Sequence, residues 1–102
     1  MITAAFAAVE GLTRALAIEL GPRRVNTIRP GYTDSAMWSF LPETDRHDLR
    51  QRVARAMPVG RMGTPNDIAQ AAVFVMTNPQ VTGAVLEVTG GETLVDSLDG
   101  TT

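Results

Sequence analysis

The fold is decided by residues 7–37, which read AAVEGLTRALAIELGPRRVNTIRPGYTDSAM. Apolar side chains recur there at spacings of three and four, and alanine, the best helix former, fills most other positions. This pattern predicts a helix over residues 3–20, which Gly21-Pro22 ends. Residues 25–28 then predict a short strand, followed by a Pro30-Gly31 turn.

Working outward, residues 45–57 predict a weakly amphipathic helix whose arginines form a solvated face. Thr64 is a suitable cap for the next helix, and Asp67 lies on the favourable end of its dipole. Asn78-Pro79 ends that helix, and residues 84–88 form the clearest strand. Two strands joined through helices predict a parallel pair with a right-handed crossover.

The helix over residues 3–20 is apolar around most of its circumference, which is typical of a helix covered on two sides. One side can face the chain's own sheet. The other is predicted to face a second molecule, and the alternative is burial inside the same domain. A two-stranded parallel sheet with open edges also favours assembly with another chain.

The composition excludes several classes of function. The 102 residues carry nine basic and eleven acidic side chains, a net charge of −2 and no cysteine. This predicts one domain without disulfides or thiolate chemistry, and no nucleic-acid or anionic-membrane surface. All nine basic residues are arginine. With neither a signal-peptide pattern nor a membrane-length apolar run, we expect a cytoplasmic protein.

Three local patterns each allow two interpretations. Asp45, His47 and Asp48 fit the exposed start of a helix better than a metal site, so no metal is predicted. Arg61 could grip an anion, but hydrogen bonds to loop carbonyls are the simpler interpretation. The apolar side chains within residues 38–41 fit a chain–chain interface slightly better than a ligand pocket.

Residues 7–37, followed by PVGRMGTPNDIAQAAVFVM at 58–76 and VTGAVLEVTGG at 81–91, resemble the C-terminal half of a short-chain dehydrogenase/reductase. Members of that family are Rossmann-fold oxidoreductases that move a hydride between NAD(P) and a hydroxyl or carbonyl substrate. The resemblance implies an α/β fold, a partial (half) Rossmann-like unit with two short parallel strands and about three helices, completed by oligomerisation. We expect residues 1–91 to be its domain and residues 92–102 a partly ordered tail.

The sequence departs from the catalytic pattern of that family. Its members use a Tyr as general acid/base, and a Lys four residues later lowers the pKa of that Tyr. Ile2 and Phe6 stand at those two positions here, and Tyr32 lies elsewhere, in the Pro-Gly loop. The resemblance therefore implies no catalytic residue in this chain. The Gly-rich dinucleotide loop is also not found, so no cofactor is predicted for the isolated chain, although the family implies NAD or NADP.

The loop over residues 30–35 resembles the family loop beside the nicotinamide ring. Backbone groups and a Thr or Ser hydroxyl there bind the carboxamide and phosphate. The resemblance makes Pro30, Gly31, Thr33 and Ser35 candidate cofactor-binding residues, with Ser35 in place of the family Thr and Thr33 in place of an aliphatic residue. The alternative is a turn inherited with the fold.

Three hypotheses for function follow. The first is a non-catalytic oligomerising or small-molecule-binding module of the short-chain dehydrogenase/reductase family, working as a homodimer or larger homo-oligomer. The second is one subunit of a split NAD(P)-dependent oxidoreductase, completed by a separate chain that supplies the N-terminal Rossmann half. The third is a truncated product without a selected function.

Overall fold

The computed structural model describes residues 2–95, with side chains from residue 4 onward. It contains three helices and two strands in the predicted order, with a 3-10 turn after each strand. The elements are α1 (Ile2–Glu19), β1 (Thr27–Pro30), the turn Ala36–Trp38, α2 (Glu43–Ala56), α3 (Pro65–Thr77), β2 (Val85–Val88) and the turn Glu92–Leu94.

The two strands pair in parallel, as predicted. The Thr27 N–H donates to the carbonyl of Ala84 at 2.9 Å, and the Gly31 N–H donates to the carbonyl of Val88 at 3.1 Å. Residue numbers rise together on both strands, which only a parallel pair allows. The predicted α/β unit with two short parallel strands and three helices is therefore confirmed.

The predicted position of β1, residues 25–28, is two residues too early. Val25 and Asn26 pair with the chain before β2 largely through side chains. The Asn26 amide oxygen accepts from the Ala84 N–H at 3.1 Å, and its amide nitrogen donates to the Val81 carbonyl at 2.9 Å. The Val25 N–H donates to the Thr82 hydroxyl at 3.1 Å. These bonds replace a regular ladder, so the strand begins at residue 27.

The described residues divide into two compact units, one of residues 2–29 with 70–87, the other of residues 30–69 with 88–95. The second unit has its core beneath α2, where Val53 is completely buried. Its buried residues are Val53, Ala56, Met57 and Met62, with Tyr32, Trp38, Leu49 and Val95 packed against them. Val95 belongs to the predicted tail, and residues 96–102 of that tail lie outside the described residues.

In the first unit, α1 turns a polar side towards its own strand. Thr13 is only 4% exposed, donates to the Val9 carbonyl at 2.7 Å and shares a hydrogen bond with the Thr27 hydroxyl. Leu12 and Ile18 are 56% and 83% exposed. Most large apolar side chains of α1 therefore lie open in the single chain, whereas Leu16 is half-buried. Within the described part of the chain, no helix is both long and apolar enough to cross a bilayer.

Candidate functional site

The end of β1 and the loop that follows it contain all four predicted cofactor-binding residues, and hydrogen bonds hold this segment to its surroundings. The Gly31 N–H continues the ladder of β1 to Val88. A Cβ at Gly31 would lie 2.8 Å from the Cα of Thr89, so no larger residue fits without a shift of the backbone. Farther along, the Trp38 indole N–H donates to the Thr33 carbonyl at 2.8 Å. The loop is thus held at both ends.

The same loop lies beside the connector that leads into α3. The Asp34 N–H donates to the Gly63 carbonyl at 2.8 Å, and the Gly63 N–H donates to the Tyr32 carbonyl at 3.0 Å. Thr33 and Gly63 form a parallel bridge. A Cβ at Gly63 would lie 3.1 Å from the Tyr32 carbonyl oxygen, so this close approach favours glycine.

The hydrogen bonds of the loop limit what it can offer a nicotinamide. Pro30 has no N–H, the Gly31 N–H is used in the sheet, and the Thr33 hydroxyl donates to the Gly31 carbonyl at 3.1 Å. The Ser35 hydroxyl accepts from the Met37 N–H at 3.3 Å, which leaves its own proton to donate. Of the four candidates, Ser35 is thus the one whose side chain fits a carboxamide or phosphate oxygen.

An ion pair joins the loop to α2. The Arg50 Nε donates to Asp34 at 2.9 Å, and a second guanidinium nitrogen lies 3.5 Å from Glu43. Arg50 thus departs from the solvated arginine face predicted for α2. Sequence reasoning missed this pair because Asp34 and Arg50 are 16 residues apart and belong to different elements.

The connector ends in a reciprocal cap on α3. The Thr64 N–H donates to the Asp67 carboxylate at 2.8 Å, and the Asp67 N–H donates to the Thr64 hydroxyl at 3.3 Å. This confirms the predicted role of Thr64 as a cap and places Asp67 at the positive end of the helix dipole. Arg61 donates to the Met62 carbonyl at 3.1 Å, which confirms its predicted bond to a loop carbonyl.

The Arg61 guanidinium also donates to both carboxylate oxygens of Asp67, at 2.7 and 2.9 Å. This hydrogen-bonded pair, with the Thr64 N–H as the second cause, holds the pKa of Asp67 well below its usual range. The same bond raises the pKa of Arg61. A carboxyl whose pKa falls on folding stabilises the protein above its unfolded pKa of about 3.9, and this stability is lost as the pH falls towards the folded value.

We therefore expect Asp67→Asn to lower the melting temperature by about 5 °C at pH 7, because it weakens the cap and removes the ion pair. The difference from the parent chain should shrink as the pH falls from about 4 to 2, because in this range Asp67 takes up a proton in the unfolded chain while the folded chain still holds it ionised. Melting curves followed by circular dichroism at pH 2 to 7 measure this. Asp48→Asn, which changes an exposed carboxyl of α2, is the control. A pH-independent difference would contradict the assignment.

The sequence also singles out Phe6 and the helix start at Asp45, His47 and Asp48, for which no metal is predicted. Among the described residues, no group of three or more His, Asp or Glu side chains could hold a metal ion. Asp45, His47 and Asp48 therefore do not form such a group. Phe6, which the resemblance places at the position of the family Lys, lies on α1 with the guanidinium carbon of Arg29 5.8 Å from its ring centroid. Arg29 is itself paired with Glu87 at 2.5 Å. The ring of Phe6 therefore contacts an arginine that is itself held by an ion pair.

Comparison with known proteins gives a consistent result. Residues 1–93 match the family model described as enoyl-(acyl carrier protein) reductase. The chain is 44% identical over 96 residues to the (2S)-[(R)-hydroxy(phenyl)methyl]succinyl-CoA dehydrogenase subunit BbsD of Thauera aromatica, covering 90% of this chain and 37% of that one. It is 40% identical to the 3-oxoacyl-[acyl-carrier-protein] reductase FabG of Chlamydia muridarum, covering 86% and 36%.

A solved structure resembles the chain as well. A small-chain dehydrogenase in complex with NADPH superposes with a TM-score of 0.81 at 42% identity, over 86% of this chain and 40% of that one. The chain thus spans between a third and two fifths of the length of these proteins.

Proposed function

The chain belongs to the short-chain dehydrogenase/reductase family, and on that premise we propose that it is a non-catalytic, oligomerising member. The proposal rests on the two residues that the resemblance places at the positions of the family Tyr and Lys. Ile2 and Phe6 offer neither a proton nor a cation there. We propose that residues 1–91 form the family domain and that the protein is cytoplasmic.

A nicotinamide nucleotide, when bound to a member of this family, supplies or accepts a hydride. In this chain the loop over residues 30–35 would hold only its nicotinamide end, with Ser35 donating a hydrogen bond to an oxygen of the carboxamide. Pro30 has no N–H, the Gly31 N–H is used in the sheet and the Thr33 hydroxyl donates to the Gly31 carbonyl, so we propose that these three residues mainly shape the loop. We propose that this fragment of a site does not retain the cofactor in the isolated chain.

Trp38 allows a direct test, because it is the single tryptophan and its indole N–H is bonded to the cofactor loop. We expect no saturable change of its fluorescence with up to millimolar NADH or NADPH. We also expect no oxidation of NADPH by the purified chain with carbonyl substrates. Turnover by the chain without another protein would overturn the proposal.

The proposed oligomer rests on the open apolar side of α1 and on exposed apolar residues of α3. Exposed apolar side chains in this first unit include Phe6, Val9, Leu12, Ile18, Val73, Phe74 and Met76. A contiguous apolar surface is typical of a contact between proteins. A second copy of the chain offers the same surface, so a twofold contact would pair apolar side chains with each other.

We expect sedimentation at micromolar concentration to show a dimer or larger assembly. Leu12→Glu should weaken the assembly at least ten-fold, because burial of a leucine contributes about 1.5–3 kcal/mol and a buried charge opposes association. Gln80→Glu adds the same charge at an exposed loop position of the same unit and should leave assembly unchanged. A compact monomer of the parent chain would contradict the oligomer.

The second candidate is one subunit of a split oxidoreductase, and it rests on the resemblance of the chain to the C-terminal half of the family. A partner chain with the N-terminal Rossmann half would then supply the dinucleotide loop and the proton-transferring residues. Co-purification with such a chain and a saturable Trp38 response to NADPH in the complex would favour this candidate over the first.

A further inference from the structure

A cavity of about 580 Å³ lies in the second unit, between α2 and the connector before α3. It is lined by Asp34, His47, Arg50, Gln51, Ala54, Arg55, Gly60, Arg61, Met62, Gly63 and Thr64. Three of these residues are arginines and one is an aspartate. From this cluster of three guanidinium groups we propose that the cavity binds a phosphate group carried by a small organic molecule.

Two of the arginines are held in place by carboxylates outside or at the edge of the cavity. Asp34 and Glu43 fix Arg50, and Asp67 fixes Arg61 through both of its oxygens. Each guanidinium has five N–H donors, so each retains donors beyond those in its ion pair. Such preordered guanidinium groups bind an oxyanion at a lower cost in side-chain entropy.

Arg55 differs from Arg50 and Arg61 in having no carboxylate partner among the described residues. It is exposed on the last turn of α2, and within the described part of the chain it has neither an ion pair nor a hydrogen bond to its side chain. It also lines a second cavity of about 310 Å³ that shares His47 and Gln51 with the first. A free guanidinium beside two fixed ones favours an anion with several acceptor oxygens.

The size of the cavity indicates more than an inorganic ion. Ligand cavities in proteins measure roughly 300–1,000 Å³, whereas one water occupies only about 30 Å³. Ala54 and the buried Met62 give the cavity an apolar part. A phosphate monoester with a small apolar group matches both features, with its phosphate on the arginines and its apolar group on Ala54 and Met62.

Calorimetric titration with phenyl phosphate and with inorganic phosphate tests the proposal on the full chain. We expect saturable binding of phenyl phosphate, at least five-fold tighter than that of inorganic phosphate. Arg55→Gln should weaken phenyl phosphate binding about ten-fold with unchanged circular dichroism. Arg14→Gln, which removes an exposed arginine from α1, is the matched control and should bind as the parent does.

Three results would overturn the proposal: no binding of phenyl phosphate below 10 mM, equal binding by the Arg55→Gln and Arg14→Gln variants, or equal affinity for the two phosphates. The titration contains no nicotinamide nucleotide and does not depend on oligomeric state. Its failure is therefore distinct from failure of the proposed family function.

Discussion

Replacement of Gly31 by alanine is expected to lower the free energy of unfolding by about 2–3 kcal/mol, because the added methyl group has no room. Its Cβ would lie 2.8 Å from the Cα and 3.1 Å from the carbonyl oxygen of Thr89. Both are backbone atoms, so no side chain can rotate away to relieve the contact. Relief requires the end of β1 to move away from β2, which strains the bond from Gly31 to Val88.

Gly11→Ala provides the matched control for this substitution. Gly11 lies inside α1, and a Cβ there would meet nothing within 4 Å. Alanine should stabilise the helix there by about 0.5–1 kcal/mol. Urea unfolding followed by circular dichroism therefore should show the two variants moving in opposite directions. A Gly31→Ala variant as stable as the parent chain would show that the loop is not packed as described.

Local signals in the sequence were sufficient to predict the helices and the cap of α3. Thr64 and Asp67 are three residues apart, so the reciprocal bonds between them follow from helix geometry alone. The bounds of α2 and α3 likewise depend on apolar spacing and on residues close by. Such features require no knowledge of distant parts of the chain.

The end of β1 shows where this reasoning fails. Proline was taken to end the strand, yet Pro30 belongs to it. In the parallel ladder, the N–H groups of Thr27 and Gly31 point to β2, so the N–H groups of residues 28 and 30 point the other way. The donor that Pro30 lacks lies on the side without a partner strand in this sheet, where proline is tolerated.

The sequence also does not predict the interactions that hold the candidate site, because they depend on contacts between distant parts of the chain. The ion pair between Arg50 and Asp34 depends on how the loop folds against α2 and the connector. The free proton of the Ser35 hydroxyl depends on the same folding of the loop. Arginines with the same local surroundings on one helix have different partners, and their order in the sequence does not distinguish them. The family resemblance points to this loop, and the hydrogen bonds show that the Ser35 hydroxyl keeps a proton to donate.

Arg24→Met is expected to lower the free energy of unfolding by about 3 kcal/mol, because one guanidinium serves three carbonyls. It donates to Val75 at 2.5 Å, to Met76 at 2.7 Å and to Val81 at 3.0 Å. The first two carbonyls belong to the last turn of α3, which the helix itself leaves without partners. Methionine keeps much of the apolar stem and removes every donor and the charge that favours a helix C-terminus.

Arg23→Met is the control, because the neighbouring Arg23 is exposed and its backbone N–H, rather than its side chain, bonds to Leu20. We expect that variant to stay within about 0.5 kcal/mol of the parent chain. Arg24→Lys should fall between the parent and Arg24→Met, since an ammonium group keeps the charge but cannot span three carbonyls with a planar fork. Full recovery in Arg24→Lys would mean that charge alone stabilises the end of α3, and no loss in Arg24→Met would contradict the three bonds.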